Sequence, residues 1–398
     1  MTDLPQGWRE VRLGEVADVL DSKRKPVNSK ERAGRAGSVP YYGATGQVGT
    51  IDTHLFDEEL VLLGEDGAPF LDLAKPKAYL ISGKSWVNNH AHVLRCREGA
   101  YTNTLLVHFL NDLNYLPYVN GTTRLKLTQG SMNEIPVTVP PLAEQERIVE
   151  ILEEKFSRLD SALDSIKAVR EKAKAFRRSL LHAAFSGELT GGTEGWREVA
   201  LGEVAETQLG KMLNSKKQTG TAVMPYLRNI NLRWGGFDLT DVKQMDIFPN
   251  EVEQFTLRNG DLLICEGGEP GRCAVWNRDG EMAFQNAMHR VRPHAELSPQ
   301  FLALQFEAKV RNGELEHLFS GVTIKHFSQS KLRAVEVPLP PIAAQERIVS
   351  VLEEQFSKLD KALEVANQLE ARIASERRSL LHAAFTGELT SQWRKTHV

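Results

Sequence analysis

Two stretches of the chain carry a helical hydrophobic rhythm over most of their length, and the rest does not. From Ile148 the apolar positions Leu152, Phe156, Leu159, Leu163, Ile166, Val169, Ala173, Phe176, Leu180 and Ala184 follow one another at three or four residues. That period predicts one amphipathic helix of nearly forty residues, on the order of 60 Å long. Pro140-Pro141 stands before it and Gly187 just after it, the usual punctuation of a helix. Ile348, Leu352, Phe356, Leu359, Leu363, Leu369, Ile373 and Leu380 repeat the stripe, so each predicted helix has an obvious partner. Elsewhere short β-type runs alternate with glycine-rich turns, as in Leu60-Val61-Leu62-Leu63-Gly64-Glu65-Asp66-Gly67 and Asp261-Leu262-Leu263-Ile264-Cys265-Glu266-Gly267-Gly268.

The pattern is a duplication. Residues 140–190 and 340–390 align without gaps and agree at 30 of 51 positions. A second anchor, Gly7-Trp8-Arg9-Glu10-Val11 with Leu13-Gly14-Glu15-Val16-Ala17, returns at Gly195-Trp196-Arg197-Glu198-Val199 with Leu201-Gly202-Glu203-Val204-Ala205, at a spacing of 188 instead of 200. The chain therefore divides into a variable segment (1–139), a repeated helix (140–190), a second variable segment (191–339), a second helix (340–390) and a short tail (391–398). Trp393-Arg394 after the second Gly-Glu-Leu-Thr echoes the Trp-Arg that opens each variable segment, so the repeat behaves as if circular and its termini are expected to lie close together. The fold class expected is α+β: two similar mixed domains, separated by two long helices packed as an antiparallel coiled coil about an internal pseudo-twofold axis.

Composition narrows the function. Lys and Arg total 49 against 52 Asp and Glu, a net charge of −3, which counts against a broadly basic nucleic-acid surface. Local clusters change that picture. Lys23-Arg24-Lys25 opens a basic loop, and Lys211, Lys216 and Lys217 occupy the matching place before Arg228, Asn229, Asn231 and Arg233. Arg and Lys suit guanine edges and phosphates, and Asn suits adenine. Tyr41 and Tyr42 match Tyr226 in order along the chain, Asn89 matches Asn286, and Gly121-Thr122-Thr123 matches Gly321-Val322-Thr323, a turn followed by Arg124 and Lys126 in the first segment and by Lys325 in the second. All of these are candidate DNA contacts. Gln145-Glu146-Arg147 with Arg177-Arg178, and Gln345-Glu346-Arg347 with Arg377-Arg378, are candidate docking positions for two identical partner subunits, one per repeat.

Catalytic signatures are missing. Gly83-Lys84-Ser85 ends like a phosphate loop, but Ala78 stands where its first glycine belongs. Val139-Pro140-Pro141-Leu142 lacks the Asn or Asp and the aromatic of an amino-methyltransferase site. His90-Ala91-His92 reads as a strand pair, and Cys265 and Cys273 as ordinary thiols, without the set of ligands that zinc needs. No metal site and no catalytic residue are assigned. Three cysteines form no disulfide framework, no apolar run approaches a membrane span, and no secretory leader is evident, so a cytoplasmic location is expected.

A variable domain, a Pro-Pro-(Leu/Ile)-x-x-Gln-Glu-Arg-Ile-Val entry into a long helix, a Ser-Leu-Leu-His-Ala-Ala-Phe-(Ser/Thr)-Gly-Glu-Leu-Thr exit, and then the same again resembles the specificity subunit of a type I restriction-modification system, over the whole chain. The resemblance implies two target-recognition domains, each reading half of a split, asymmetric site on double-stranded DNA. It implies a non-catalytic chain with no cofactor of its own, bound to two modification subunits that hold S-adenosylmethionine and to restriction subunits that use ATP and Mg2+. The helices would then act as a ruler for half-site spacing. The alternatives are an assembly scaffold that does not bind DNA, and a stand-alone nuclease or methyltransferase.

Overall fold

The computed structural model describes residues 4–72, 75–214, 218–321 and 325–397. The chain forms two compact units, Met1–Lys167 with Ala366–Val398, and Ala168–Val365. The division falls inside the two long helices, so each unit joins a variable segment to pieces of both helices.

In the first unit the run Leu60–Gly64 is buried throughout, because a strand between two layers must be apolar on both faces. Val61 and Leu63 face a core with Leu105, Leu106 and Leu110 of helix Asn103–Asp112. Leu60 and Leu62 face a second core with Phe56, Ile81 and Val87. This strand lies in an antiparallel sheet ordered Ala17–Val19, Ala91–Cys96, Leu60–Gly64, Ala78–Ile81. A second sheet runs Gly46–Ile51, Val39–Gly43, Lys84–Val87, Phe56–Asp57, with one parallel pairing at Tyr42 and Val87. Arg9–Arg12 pairs with Pro136–Val139 and draws the two ends of the variable segment together at the entry to the helix.

The second unit repeats this plan. Leu262 and Ile264 face Phe301, Leu302 and Phe306 of helix Pro299–Arg311, while Leu263 and Cys265 face Leu227, Trp276 and Phe284. Arg197–Ala200 pairs with Glu336–Leu339 as the closing ladder. One connection differs sharply. Val39–Gly43 and Gly46–Ile51 are joined by two residues, whereas Val223–Leu227 and Lys243–Asp246 are joined by residues 228–242, which carry a short hairpin, Leu232–Arg233 with Gly236–Phe237. The extra length of the second variable segment sits chiefly there.

The helices run Leu142–Phe185 and Ile342–Phe385, each of 44 residues. Within the first unit they are antiparallel: Glu144 meets Arg394, Arg377 lies over the Phe156 ring at 4.3 Å, and Ile166 packs with Ile373 and Ala366. The second unit has the same sense, with Leu181 and Ala184 in one core with Ile348 and Leu352, and Arg177 over Phe356 at 3.8 Å. Each helix ends at a glycine in the left-handed region, Gly187 at φ +87° and Gly387 at φ +78°. A Cβ would stand 2.6 Å from the Gly192 carbonyl carbon at the first and 2.5 Å from Pro5 at the second, so only glycine fits. The tail is a helix, Ser391–His397, that docks beside Trp8 near the start of the first variable segment.

Candidate nucleic-acid interface

The strand Leu60–Gly64 ends in the turn Glu65-Asp66-Gly67, and three other segments converge on it. Glu65 N–H donates to the His90 carbonyl at 2.8 Å, Leu127 N–H donates to the Glu65 carbonyl at 2.8 Å, and Asn88 N–H donates to the Tyr42 carbonyl at 3.1 Å. The polar side chains follow this frame. Arg24 donates to Glu65 at 2.7 Å and to the Ala91 carbonyl at 2.6 Å, and pairs with Asp21 at 3.1 Å. Lys126 reaches Glu65 at 3.0 Å, and buried His92 lies between Asp21 at 2.5 Å and the Leu127 carbonyl at 2.9 Å. Burial works to raise the Glu65 carboxyl, but the hydrogen bonds from Arg24 and Lys126 prevail and hold it below the ordinary carboxylate range.

Asp21, Glu65 and His92 form the cluster compact enough to hold a metal among the described residues. The Arg24 guanidinium lies among them and already supplies the positive charge they require. The cluster is an internal ion-pair knot. Gly83-Lys84-Ser85 runs from a turn into the strand Lys84–Val87 instead of opening a helix, so it cradles no phosphate. Cys265 and Cys273 are buried thiols, and burial pushes Cys265 up to about 11.

The equivalent end of the second unit keeps the backbone frame and changes the side chains. Glu266 N–H donates to the Ala287 carbonyl at 2.8 Å and Phe327 N–H to the Glu266 carbonyl at 2.7 Å. His289, like His92, contacts the carbonyl at that junction, Phe327 O, at 2.8 Å. Leu209 pairs with His289 where the first unit has Asp21, so the buried Nδ1 of His289 lacks a partner and burial lowers its pKa. Lys211 is drawn to the Asp246 carbonyl at 2.8 Å and to Glu251, Arg228 binds Asp241 at 2.6 Å, and Asn229 donates to the Gly267 carbonyl at 2.6 Å.

These contacts correct several expectations. Tyr41 and Tyr226 are core residues, 1% and 4% exposed; the Tyr41 hydroxyl is held by the backbone of Val27. Asn231, 2% exposed, bonds Arg228 N–H and the carbonyls of Asp238 and Asp241, and shapes the connection from inside. Arg24, Lys211 and Arg228 are each paired with a carboxylate of the same unit, and the Asn229 amide is committed to Gly267, Cys265 and Arg272. Gln145 and Gln345 are buried fasteners instead of docking residues. Each accepts from the N–H that caps the neighbouring helix, Thr102 or Ser298, and donates to the carbonyl of Pro140 or Pro340.

The exposed candidates are Lys23, Lys25, Asn89, Arg124 and Lys126 in the first unit, and Arg233 and Lys325 in the second. Tyr42 and Asn286 are half-buried at the same ends, and Lys216, Lys217 and Thr323 lie outside the described residues. On the helices Glu146, Arg178, Glu346, Arg347 and Arg378 are exposed, and Arg147 pairs with Glu150 at 2.5 Å. Arg177 and Arg377 are tied down, to Glu307 at 2.7 Å and Asp160 at 2.8 Å. Two polar groups at the first unit's end stood outside the sequence-based site, Asp66 and His90. Their signal was present in the acidic turn after Leu60–Gly64 and in His90-Ala91-His92, but only the fold brings them together.

The model of the type I restriction modification DNA specificity domain matches residues 5–172 and 193–374, and the chain belongs to that family, with two copies of the domain. Its relatives include the EcoKI specificity subunit of Escherichia coli K12, 27% identical over 432 residues, covering 98% of this chain and 91% of that one. A candidate specificity subunit of Haemophilus influenzae is 28% identical over 363 residues, covering 88% of each chain. The fold matches a structure solved in a study of assembly and conformational transition of the type I system, with TM-score 0.76, 20% identity and coverage of 97% and 99%. It also matches the HsdS subunit of Thermoanaerobacter tengcongensis, with TM-score 0.56, 19% identity and coverage of 97% and 98%. The chain is a DNA-specificity subunit, and its family is non-catalytic. No helix of the described residues is long and apolar enough to cross a membrane.

Proposed function

We propose that each unit reads one half of a split, asymmetric DNA target, and that the chain carries this specificity to two modification subunits and to restriction subunits. S-adenosylmethionine, ATP and Mg2+ belong to those partners in this reading, and the complex works in the cytoplasm. The observation that carries it is the pairing of one retained backbone frame with two diverged polar ends: Glu65, His90 and Leu127 are bonded in the first unit as Glu266, Ala287 and Phe327 are in the second. A shared frame with different exposed donors is what two related readers of different half-sites require.

The near-neutral charge fits a division of labour in which partner subunits neutralise most phosphates and this chain addresses bases. The exposed Glu146, Arg178, Glu346, Arg347 and Arg378 serve the partner contacts, once per repeat. Native mass spectrometry of the chain co-expressed with its modification subunit tests the assembly, with two modification subunits per chain expected. DNA affinity of the isolated chain is expected to be weak and steeply salt-dependent. A complex indifferent to DNA sequence would return the chain to a scaffold role.

A further inference from the structure

One carboxylate oxygen of Asp66 holds two side chains from different segments, His90 Nδ1 at 2.6 Å and Arg124 Nη2 at 3.0 Å. The His90 and Arg124 side chains are 40% and 60% exposed, so the trio forms a surface feature. Gly67, at φ +71°, leaves room for it: a Cβ there would stand 3.2 Å from Nε and Nη2 of Arg124 and crowd the guanidinium.

The second unit shows that the fold does not need this trio. With the same backbone bonds in place, the position of Asp66 is Gly267 and that of His90 is Ala287, while the position of Arg124 is Ile324, outside the described residues. Asn229 fills the space over Gly268 that Arg124 fills over Gly67. A charged, exposed trio that the shared backbone frame does not require points to what that end binds.

Its chemistry favours a base edge over a phosphate. A carboxylate beside the guanidinium removes net attraction for a phosphate but fixes the direction of the fork. Asp66 uses one of five N–H donors, which leaves donors on both terminal nitrogens for the paired acceptors O6 and N7 of guanine. In the neutral tautomer that donates Nδ1–H to Asp66, the His90 Nε2, without a partner among the described residues, can accept from the N4 amine of the cytosine opposite.

We propose that Arg124, positioned by Asp66 and flanked by His90, reads a G·C pair in the half-site of the first unit. This rests on the assignment of that end as a DNA reader. The test maps adenine methylation on random DNA by the complex with its modification subunits, for wild type, Arg124→Ala, Arg124→Lys and Asp66→Asn, with thermal unfolding as a control on folding. Arg124→Ala is expected to relax one G·C position roughly 10- to 100-fold and to leave the other half-site and the spacer intact. Arg124→Lys, which lacks the fork, restores discrimination only in part, and Asp66→Asn relaxes the same position by less. An unaltered motif, a uniform loss across all sequences, or a change in the other half-site would overturn the assignment. A wild-type complex that methylates without sequence preference would instead overturn the reader role beneath it.

Discussion

Glu144 is fully buried and accepts from Trp8 at 2.9 Å, Thr390 at 2.6 Å and Arg394 at 2.7 Å. Burial raises its carboxyl, yet these bonds, that of Arg394 first, outweigh the effect and hold it below the ordinary range. The group fastens the C-terminal helix to the start of the first unit, where the matching residue of the repeat is Ala344. Replacing Glu144 by Ala leaves Arg394 without its partner and is expected to cost about 3–5 kcal/mol in denaturant unfolding. A depressed carboxyl contributes stability that is present above its unfolded pKa, about 4.3, and disappears as pH falls through the folded value. The difference between wild type and variant should therefore be constant above about pH 5 and shrink below about pH 4. Ala287 sits at φ +77°, the lone non-glycine in the left-handed region among the described residues. Ala287→Gly is expected to raise stability by up to about 1 kcal/mol, and a loss in thermal unfolding would show that its methyl packs usefully. At this scale the sequence was least legible. Lys23, Arg24 and Lys25 are neighbours of one charge, yet Arg24 faces inward because Glu65 and the Ala91 carbonyl, 41 and 67 residues away, are brought to it.

Two identical arginines show how an element gives a residue its worth. Arg177 and Arg377 hold the same place in the repeated helix, and each lies over a phenylalanine ring. Arg177 also binds Glu307, 3% exposed and shared with Arg311, whereas Arg377 binds Asp160 in the open. Burial raises the Glu307 carboxyl, but the two arginines, Arg177 first, hold it low. Arg177→Ala is expected to cost about 1–3 kcal/mol, and Arg377→Ala the same ring contact but no more than about 1 kcal/mol of ion pair. Equal costs would contradict this account. The helices were the most legible elements, because a 3.6-residue period over 44 residues has no competing reading, and the structure extends them slightly past the expected forty. The long connection 228–242 was not located, since its hairpin is short and its glycines resemble those of any turn. Lengthening one helix by about four residues, roughly 6 Å, is expected to select a target with a longer spacer; methylation mapping that shows an unchanged spacer would remove the ruler role.

For the whole molecule, duplication decides both fold and function. A central strand apolar on both faces, a covering helix and a closing ladder appear twice, so the chain holds two cores built on one plan. That much follows from the repeated segments and from the apolar runs at Leu60 and Leu262. Sheet order, and the convergence of Glu65, Asp66, His90 and Arg124 on one end, do not, because they depend on pairings between residues far apart in the chain. The measurement that bears most directly on two readers in one chain is the methylation pattern of the assembled complex on random DNA, read base by base. Two short specific half-sites separated by a gap of fixed length are the predicted result; a single continuous motif, or methylation without a motif, would contradict it.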